Sequence, residues 1–162
     1  DVYKRQLFTV LDKVERNQPT LVKMPLELPG GWEQFKSLLD VLNEHKVDGV
    51  TIANLRKNRI GLNIPSDLQG GISGSPAYKA SNELIRKTRA AFGDRFTIAG
   101  VGGVSTPRQA YEKIRAGSDL VMFISSLMYR GPQQISVLKR GLARLLKADG
   151  YEHVSDAVGV DA

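Results

Sequence analysis

Along the chain, short β-branched and aliphatic runs alternate with longer stretches whose apolar positions recur every three and four residues, the pattern of βα units. The first strand is predicted over 20–24. A helix follows over 31–46, with Trp32, Phe35, Leu38, Leu39 and Leu42 on its apolar side. Residues 48–54 read as the second strand. A helix is expected from about Ser81, as N-cap with Glu83 close behind, to Ala91, where Gly93 stops it. The third strand is 96–100, before a helix opening near Thr106 and Pro107. Gly117 closes that helix, 119–125 is the fourth strand, and a last long helix covers about 132–147. Residues 148–162 form a tail expected to dock through Tyr151, Val154 and Val158. Between the second strand and the Ser81 helix, residues 55–76 contain Gly61, Pro65, Gly70, Gly71 and Gly74. No regular element survives that content, and a loop so long in a compact domain is a candidate binding loop or lid.

Four near-continuously apolar strands, each followed by a loop or helix, imply an α/β fold with parallel strands buried on both faces. A small doubly wound sheet and half of an eight-stranded barrel both satisfy this. A complete (β/α)8 TIM barrel takes about 250 residues, whereas this chain supplies four units in 162. By strand count it is half a barrel, about four βα units.

Composition narrows the function classes. The chain is 41% hydrophobic with a net charge of +6, and its basic residues are dispersed along helical segments and interleaved with acids. That pattern reads as a solvated surface, and no nucleic-acid partner is expected. The densest basic cluster, Arg56, Lys57, Asn58 and Arg59, lacks the neighbouring aromatics of a single-strand platform. It is either a polar loop or a phosphate or partner contact. With no cysteine and two distant histidines, His45 and His153, no metal site is expected. No apolar run approaches the roughly 20 residues of a membrane span, and no signal peptide is recognisable at the N-terminus.

The strongest local chemical signal is the strand that ends in Gly100-Val101-Gly102-Gly103 just before a helix. Backbone amides at such a junction can wrap a phosphate because no side chain obstructs the approach, although glycines also serve tight turns and close packing. Ser125 and Ser126, at the C-terminal end of the fourth strand, would face a phosphate from the next loop, because the last two strands of a barrel often share one phosphate site. Lys23 lies in an apolar strand, so it either snorkels to the barrel mouth or faces a ligand. Asn54 ends the second strand, where it is either a turn residue or a donor and acceptor for a planar ligand. Ser73 and Gly74 sit in the long loop, whose glycines permit close contact with a ligand or plain flexibility. Neither a Ser-His-Asp triad, a P-loop nor a paired-carboxylate site is recognisable.

Taken in order, LVKMPLEL, DGVTIAN, GGISGSP, IAGVGGVSTPRQAYEKIRAGSDLVMFISSLMYRGP and VSDAVG resemble the C-terminal half of the class 2, quinone-dependent dihydroorotate dehydrogenases, over roughly residues 19 to 160. The resemblance implies an FMN enzyme that oxidises dihydroorotate to orotate in pyrimidine biosynthesis and passes electrons to a quinone. It further implies FMN contacts from Lys23, Ser73, Gly74, Gly102, Gly103 and Ser125, with Asn54 binding the pyrimidine. The general base, the quinone site and the helices that dock peripherally on a bacterial or mitochondrial inner membrane would lie in an absent N-terminal half. On this reading the chain, 1–162, is a soluble partial FMN-binding barrel carrying no catalytic residue and inactive by itself.

Departures from the family pattern bear on substrate more than on flavin. Leu55 stands where a hydroxyl residue usually reaches the substrate, Ala53 where a threonine is usual, and Ile124 where an aromatic is usual; the segment RKNRIGLNIPSD also differs. Losing a hydroxyl in a closed site leaves a pyrimidine edge unpaired. Two alternatives therefore stay open: another FMN-dependent barrel oxidoreductase with a different substrate, and a non-catalytic half-barrel binding a phosphorylated ligand. The first residues, DVYKRQ, match nothing in the family pattern.

Overall fold

A computed structural model describes residues 2–65, 67 and 69–162. Helix α1 (Val2–Leu11) is followed by β1 (Leu21–Lys23), α2 (Gly31–Asn43), β2 (Gly49–Ile52), α3 (Tyr78–Phe92), β3 (Thr97–Val101), α4 (Pro107–Arg115), β4 (Leu120–Met122), α5 (Ser125–Arg130) and α6 (Gln133–Ala148). The strands form one sheet in the order β1-β2-β3-β4, every pair parallel. A doubly wound sheet reverses its strand order at a switch point, whereas adjacent barrel strands follow chain order. The uninterrupted order found here is that of a barrel segment.

Register assigns the two faces. Lys23 pairs with Thr51, Thr51 with Ala99, and Ala99 with Leu120. Because side chains alternate along a strand, Val22, Val50, Ile52 and Ile98 share the opposite face, where they pack on Phe35, Leu39 and Leu42 of α2 and Ile85 of α3. Each such fully buried aliphatic or aromatic side chain contributes about 1.5–3 kcal/mol. Val121 of β4 joins two further clusters, with Val104, Ala110 and Leu138 and with Tyr111, Ile114 and Ala157.

The expectation of strands buried on both faces is corrected at the sheet's outer members. Lys23 is exposed, and Leu120 and Met122 keep 54% and 45% of their surface. The face that a closed barrel turns inward therefore stays accessible at β1 and β4, while Ala99 at its centre is buried. Strands β1, β2 and β4 are also shorter than expected, whereas β3 keeps its predicted length, shifted by one residue. The segment 119–125 ends as a strand at Met122, and its last predicted residue, Ser125, instead opens α5.

Helical boundaries also move, α2 ending at Asn43 rather than near residue 46. Ser81 is not an N-cap: α3 begins at Tyr78, and Ser81 is fully buried inside it. Of the opening residues unmatched in sequence, 2–6 lie in α1, and just past the ends of α1 and α2 Asp12 pairs with His45 at 2.7 Å. By contrast, Thr106 caps α4 as expected, completing a capping box with Gln109. In the tail, Tyr151 and Val158 pack on Tyr111, Ile114 and Ala157, whereas Val154 remains exposed.

Candidate functional site

A groove of about 870 Å³ opens at the C-terminal ends of the four strands, and every predicted site residue lines it: Lys23, Asn54, Ser73, Gly74, Gly102, Gly103 and Ser125. Parallel strands end at a common rim, so residues far apart in sequence meet there. The closest association joins three loops. Ser73 Oγ lies 3.0 Å from Ser125 Oγ. A Cβ placed on Gly74 would sit 3.6 Å from Ser125 Cβ, and one on Gly103 would sit 3.1 Å from the Gly74 carbonyl. Gly74 and Gly103 adopt φ +77° and +73°, a region that side-chain-bearing residues seldom enter.

This junction suits a phosphate. The Gly103 and Val104 N–H groups have no protein acceptor among the described residues. Those of Ser125 and Ser126 occupy the first turn of α5, where no preceding helical carbonyl is available. The neighbouring loop is pinned from behind. Ser126 Oγ donates to the Val104 carbonyl at 2.7 Å, while Gln134 Nε2 and Arg130 Nη1 donate to the Ser105 carbonyl at 2.8 and 3.1 Å. Of the two serines singled out in sequence, Ser126 is therefore a buried tie and Ser125 is the one beside Ser73.

The other part of the groove is lined by more apolar side chains. Lys23 has no ion-pair or hydrogen-bond partner among the described residues, which leaves its ammonium available to a ligand. The Asn54 backbone N–H donates to the Met24 carbonyl at 3.0 Å, fixing this residue at the rim beside β1. Leu55, Ile72, Met122, Ile124, Met128 and Tyr129 supply apolar surface. Met122, Met128 and Tyr129, with Arg130, were not foreseen as site residues; the last three arrive on α5, which opens where the fourth strand was predicted to end. All three departures from the family pattern, Ala53, Leu55 and Ile124, line the groove.

Several described residues of the long loop are tied down beside this site. Residues Arg56 and Ile72 exchange backbone hydrogen bonds at 2.9 and 2.7 Å, closing the loop at its base. Glu27 Oε2 accepts from the Lys57 and Asn58 amides at 2.7 and 2.8 Å. Arg59 donates to the carbonyls of Pro65 and Gly70. The basic cluster thus includes two arginines bound within their own loop, Arg56 donating to the Ile60 carbonyl at 3.3 Å and also lying 3.6 Å from Glu27 beyond β1. That is the polar-loop reading of this segment.

Comparison with known proteins agrees with the geometry. The family described as dihydroorotate dehydrogenase matches residues 2–146. The dihydroorotate dehydrogenase (quinone) of Parvibaculum lavamentivorans is 38% identical over 88% of this chain and 41% of its own length. That of Synechocystis is 35% identical over 89% of this chain and 40% of its own. A crystal structure of ligand-free DHODH from Eimeria tenella superposes with a TM-score of 0.78 at 30% identity, over 87% of this chain and 39% of that one. The ferulenol complex of the Eimeria tenella enzyme gives 0.85 at 26% identity, over 99% and 48%. The chain spans about two fifths of the length of the curated relatives it matches.

Proposed function

Since the chain belongs to the dihydroorotate dehydrogenase family, we propose that its groove holds FMN within a quinone-dependent enzyme that oxidises dihydroorotate to orotate. The observation that carries this reading is the junction of Gly74, Gly103 and Ser125, where three loops meet around unpaired amides. There the phosphate of FMN would accept from the Gly103 and Val104 amides and from the Ser125 hydroxyl. Lys23 would contact the flavin ring system across the groove, Ser73 and Gly74 would border it, and Gly102 would let the strand end approach closely. Asn54 would present its amide to the pyrimidine. Bound FMN supplies the two-electron chemistry that links the pyrimidine to the acceptor.

The chain's own contribution is binding and orientation. The proton-accepting base, the quinone site and the peripheral membrane contact belong, in this reading, to the part of the longer relatives that this chain does not span. Domain organisation follows: residues 1–162 form the FMN-holding partial barrel. Leu55 favours a second reading in which the flavin site is retained but the substrate differs, because a groove leucine cannot pair a polar pyrimidine edge. Orotate and dihydroorotate titrated against the flavin-loaded full-length protein separate the two, since neither would bind if the substrate has changed.

The flavin reading itself is tested by titrating FMN and riboflavin, which differ only in the phosphate, and following flavin fluorescence. FMN should bind at least about tenfold tighter, the worth of one or two charge-assisted hydrogen bonds. Ser125→Ala should narrow that gap, whereas Lys23→Met should weaken both ligands together. Equal affinities of the unsubstituted protein for FMN and riboflavin would reject the phosphate assignment.

A further inference from the structure

Lys113 lies on α4 with none of its surface exposed. No carboxylate pairs with it among the described residues. Its Nζ donates instead to Ser81 Oγ at 2.9 Å and to Asn82 Oδ1 at 2.5 Å, both on α3. Ser81 Oγ passes the chain of hydrogen bonds on, donating to the Val101 carbonyl at 2.6 Å. A second carbonyl, that of Ile52, lies 3.5 Å from the same hydroxyl, and the Ala53 amide donates to the Val101 carbonyl at 3.4 Å. The relay therefore runs from a buried amine to the last residue of β3, immediately before Gly102 and Gly103, and touches the end of β2 beside Ala53 and Asn54.

The backbone is built for this approach. A Cβ on Gly100 would fall 2.9 Å from Lys113 Cδ, and one on Gly102 would fall 3.3 Å from Ala77 Cβ and 3.5 Å from Ser81 Cβ. A side chain at Gly100 would crowd Lys113 directly, and one at Gly102 would press on Ala77 at a φ of +115° that side-chain-bearing residues seldom adopt. On stability alone the arrangement is a poor one, because burying an unpaired amine costs more than filling the same space with an apolar chain. Desolvation lowers the Lys113 pKa to about 7. The Tyr78 ring lies 5.4 Å away, its hydroxyl bonded to Glu112. A costly buried group aimed at the rim of a ligand groove is the mark of a functional arrangement.

We propose that Lys113 is a positioning residue for the phosphate loop, holding the Val101 carbonyl through Ser81 so that Gly103 and Val104 present their amides to the phosphate. The proposal rests on the flavin reading above. Lys113 and Ser81 touch no ligand; they act by fixing where β3 ends and the loop begins.

The test compares FMN with riboflavin in the unsubstituted protein, in Lys113→Met and in Ser81→Ala, with thermal unfolding of the ligand-free proteins recorded alongside. Positioning of the phosphate loop predicts that both substitutions reduce the FMN-to-riboflavin affinity ratio by about tenfold, while riboflavin affinity stays within about twofold, whatever happens to the melting temperature. A purely structural lysine would lower both affinities in parallel or leave both unchanged, and either result overturns the proposal. Ser81→Ala removes one oxygen and keeps the packing, so it remains informative if Lys113→Met fails to fold. If the unsubstituted protein shows no preference for FMN, the flavin reading itself falls; if it shows one that both variants retain, only the positioning role falls.

Discussion

At the scale of the residue, buried polar groups divide into those that are fully matched and those that are not. Arg89 is matched: its guanidinium reaches Asp94 at 2.8 Å, Asp119 at 2.7 Å and the Gly117 carbonyl at 2.9 and 3.1 Å. It ties the end of α3 to the turn before β4. Lys113 is not matched by any charge, and its stability should depend on pH in a defined direction. Its pKa is about 7 in the folded chain, against about 10.4 when unfolded. Between those values the unfolded chain holds a proton that the folded chain has released. Unfolding free energy attributable to this group therefore rises with pH, by up to about 1.4 kcal/mol per unit. The destabilisation is full below pH 7 and is relieved toward pH 10. Lys113→Met should accordingly be more stable than the parent near pH 6, with the difference shrinking as the pH approaches 10, measured by urea unfolding at fixed temperature. A difference that does not change with pH would mean that Lys113 keeps its proton when folded.

At the scale of the element, the sequence spoke most clearly where local chemistry and tertiary role coincide. Thr106, Pro107 and Gln109 form a helix start by themselves, and α4 begins where they indicate. The glycines of 100–103 marked the strand-to-helix junction for the same reason, since close approach and positive φ both exclude a side chain. What could not be read locally was set by partners elsewhere. Ser81 has the chemistry of an N-cap, yet α3 carries it into the core because the Val101 carbonyl and Lys113 supply its hydrogen bonds there. Segment 119–125 is apolar enough for a strand, but its ladder ends at Met122 and α5 takes the residues that follow. The seven site residues were individually ambiguous and became coherent through family order; their meeting at one rim required the sheet. Gly141 shows the same dependence. It interrupts α6 at a helix-propensity cost of about 1 kcal/mol, and a Cβ there would collide with the Pro107 ring at the start of α4. Gly141→Ala should therefore destabilise by about 1–3 kcal/mol despite the better propensity. A calorimetric gain in stability would show that α4 and α6 can separate freely.

At the scale of the whole molecule, the decisive feature is a sheet with two ends. Among the described residues β1 and β4 each pair on one side only, and unpaired strand edges are templates for further pairing. Beside those edges the uncovered face carries Leu21, Leu120 and Met122, with Ile124 beyond it 63% exposed. Edge and apolar face are contiguous, so covering one also covers the other, and the gain from burying each is added to backbone pairing. The chain by itself should therefore associate with rising concentration, as seen by sedimentation velocity over the micromolar range. Leu120→Lys with Met122→Lys should suppress that association, because both changes put charge on the open face without touching the helix-covered core. A monomer at every concentration would mean that the edges are already protected. Association unaffected by the lysines would locate the contact away from this face. Flavin should oppose association in the parent chain, since the groove opens on the same face and its apolar lining includes Met122 and Ile124. Loss of the associated species on adding FMN, but not riboflavin at the same concentration, would tie the state of the sheet to the phosphate junction at its rim.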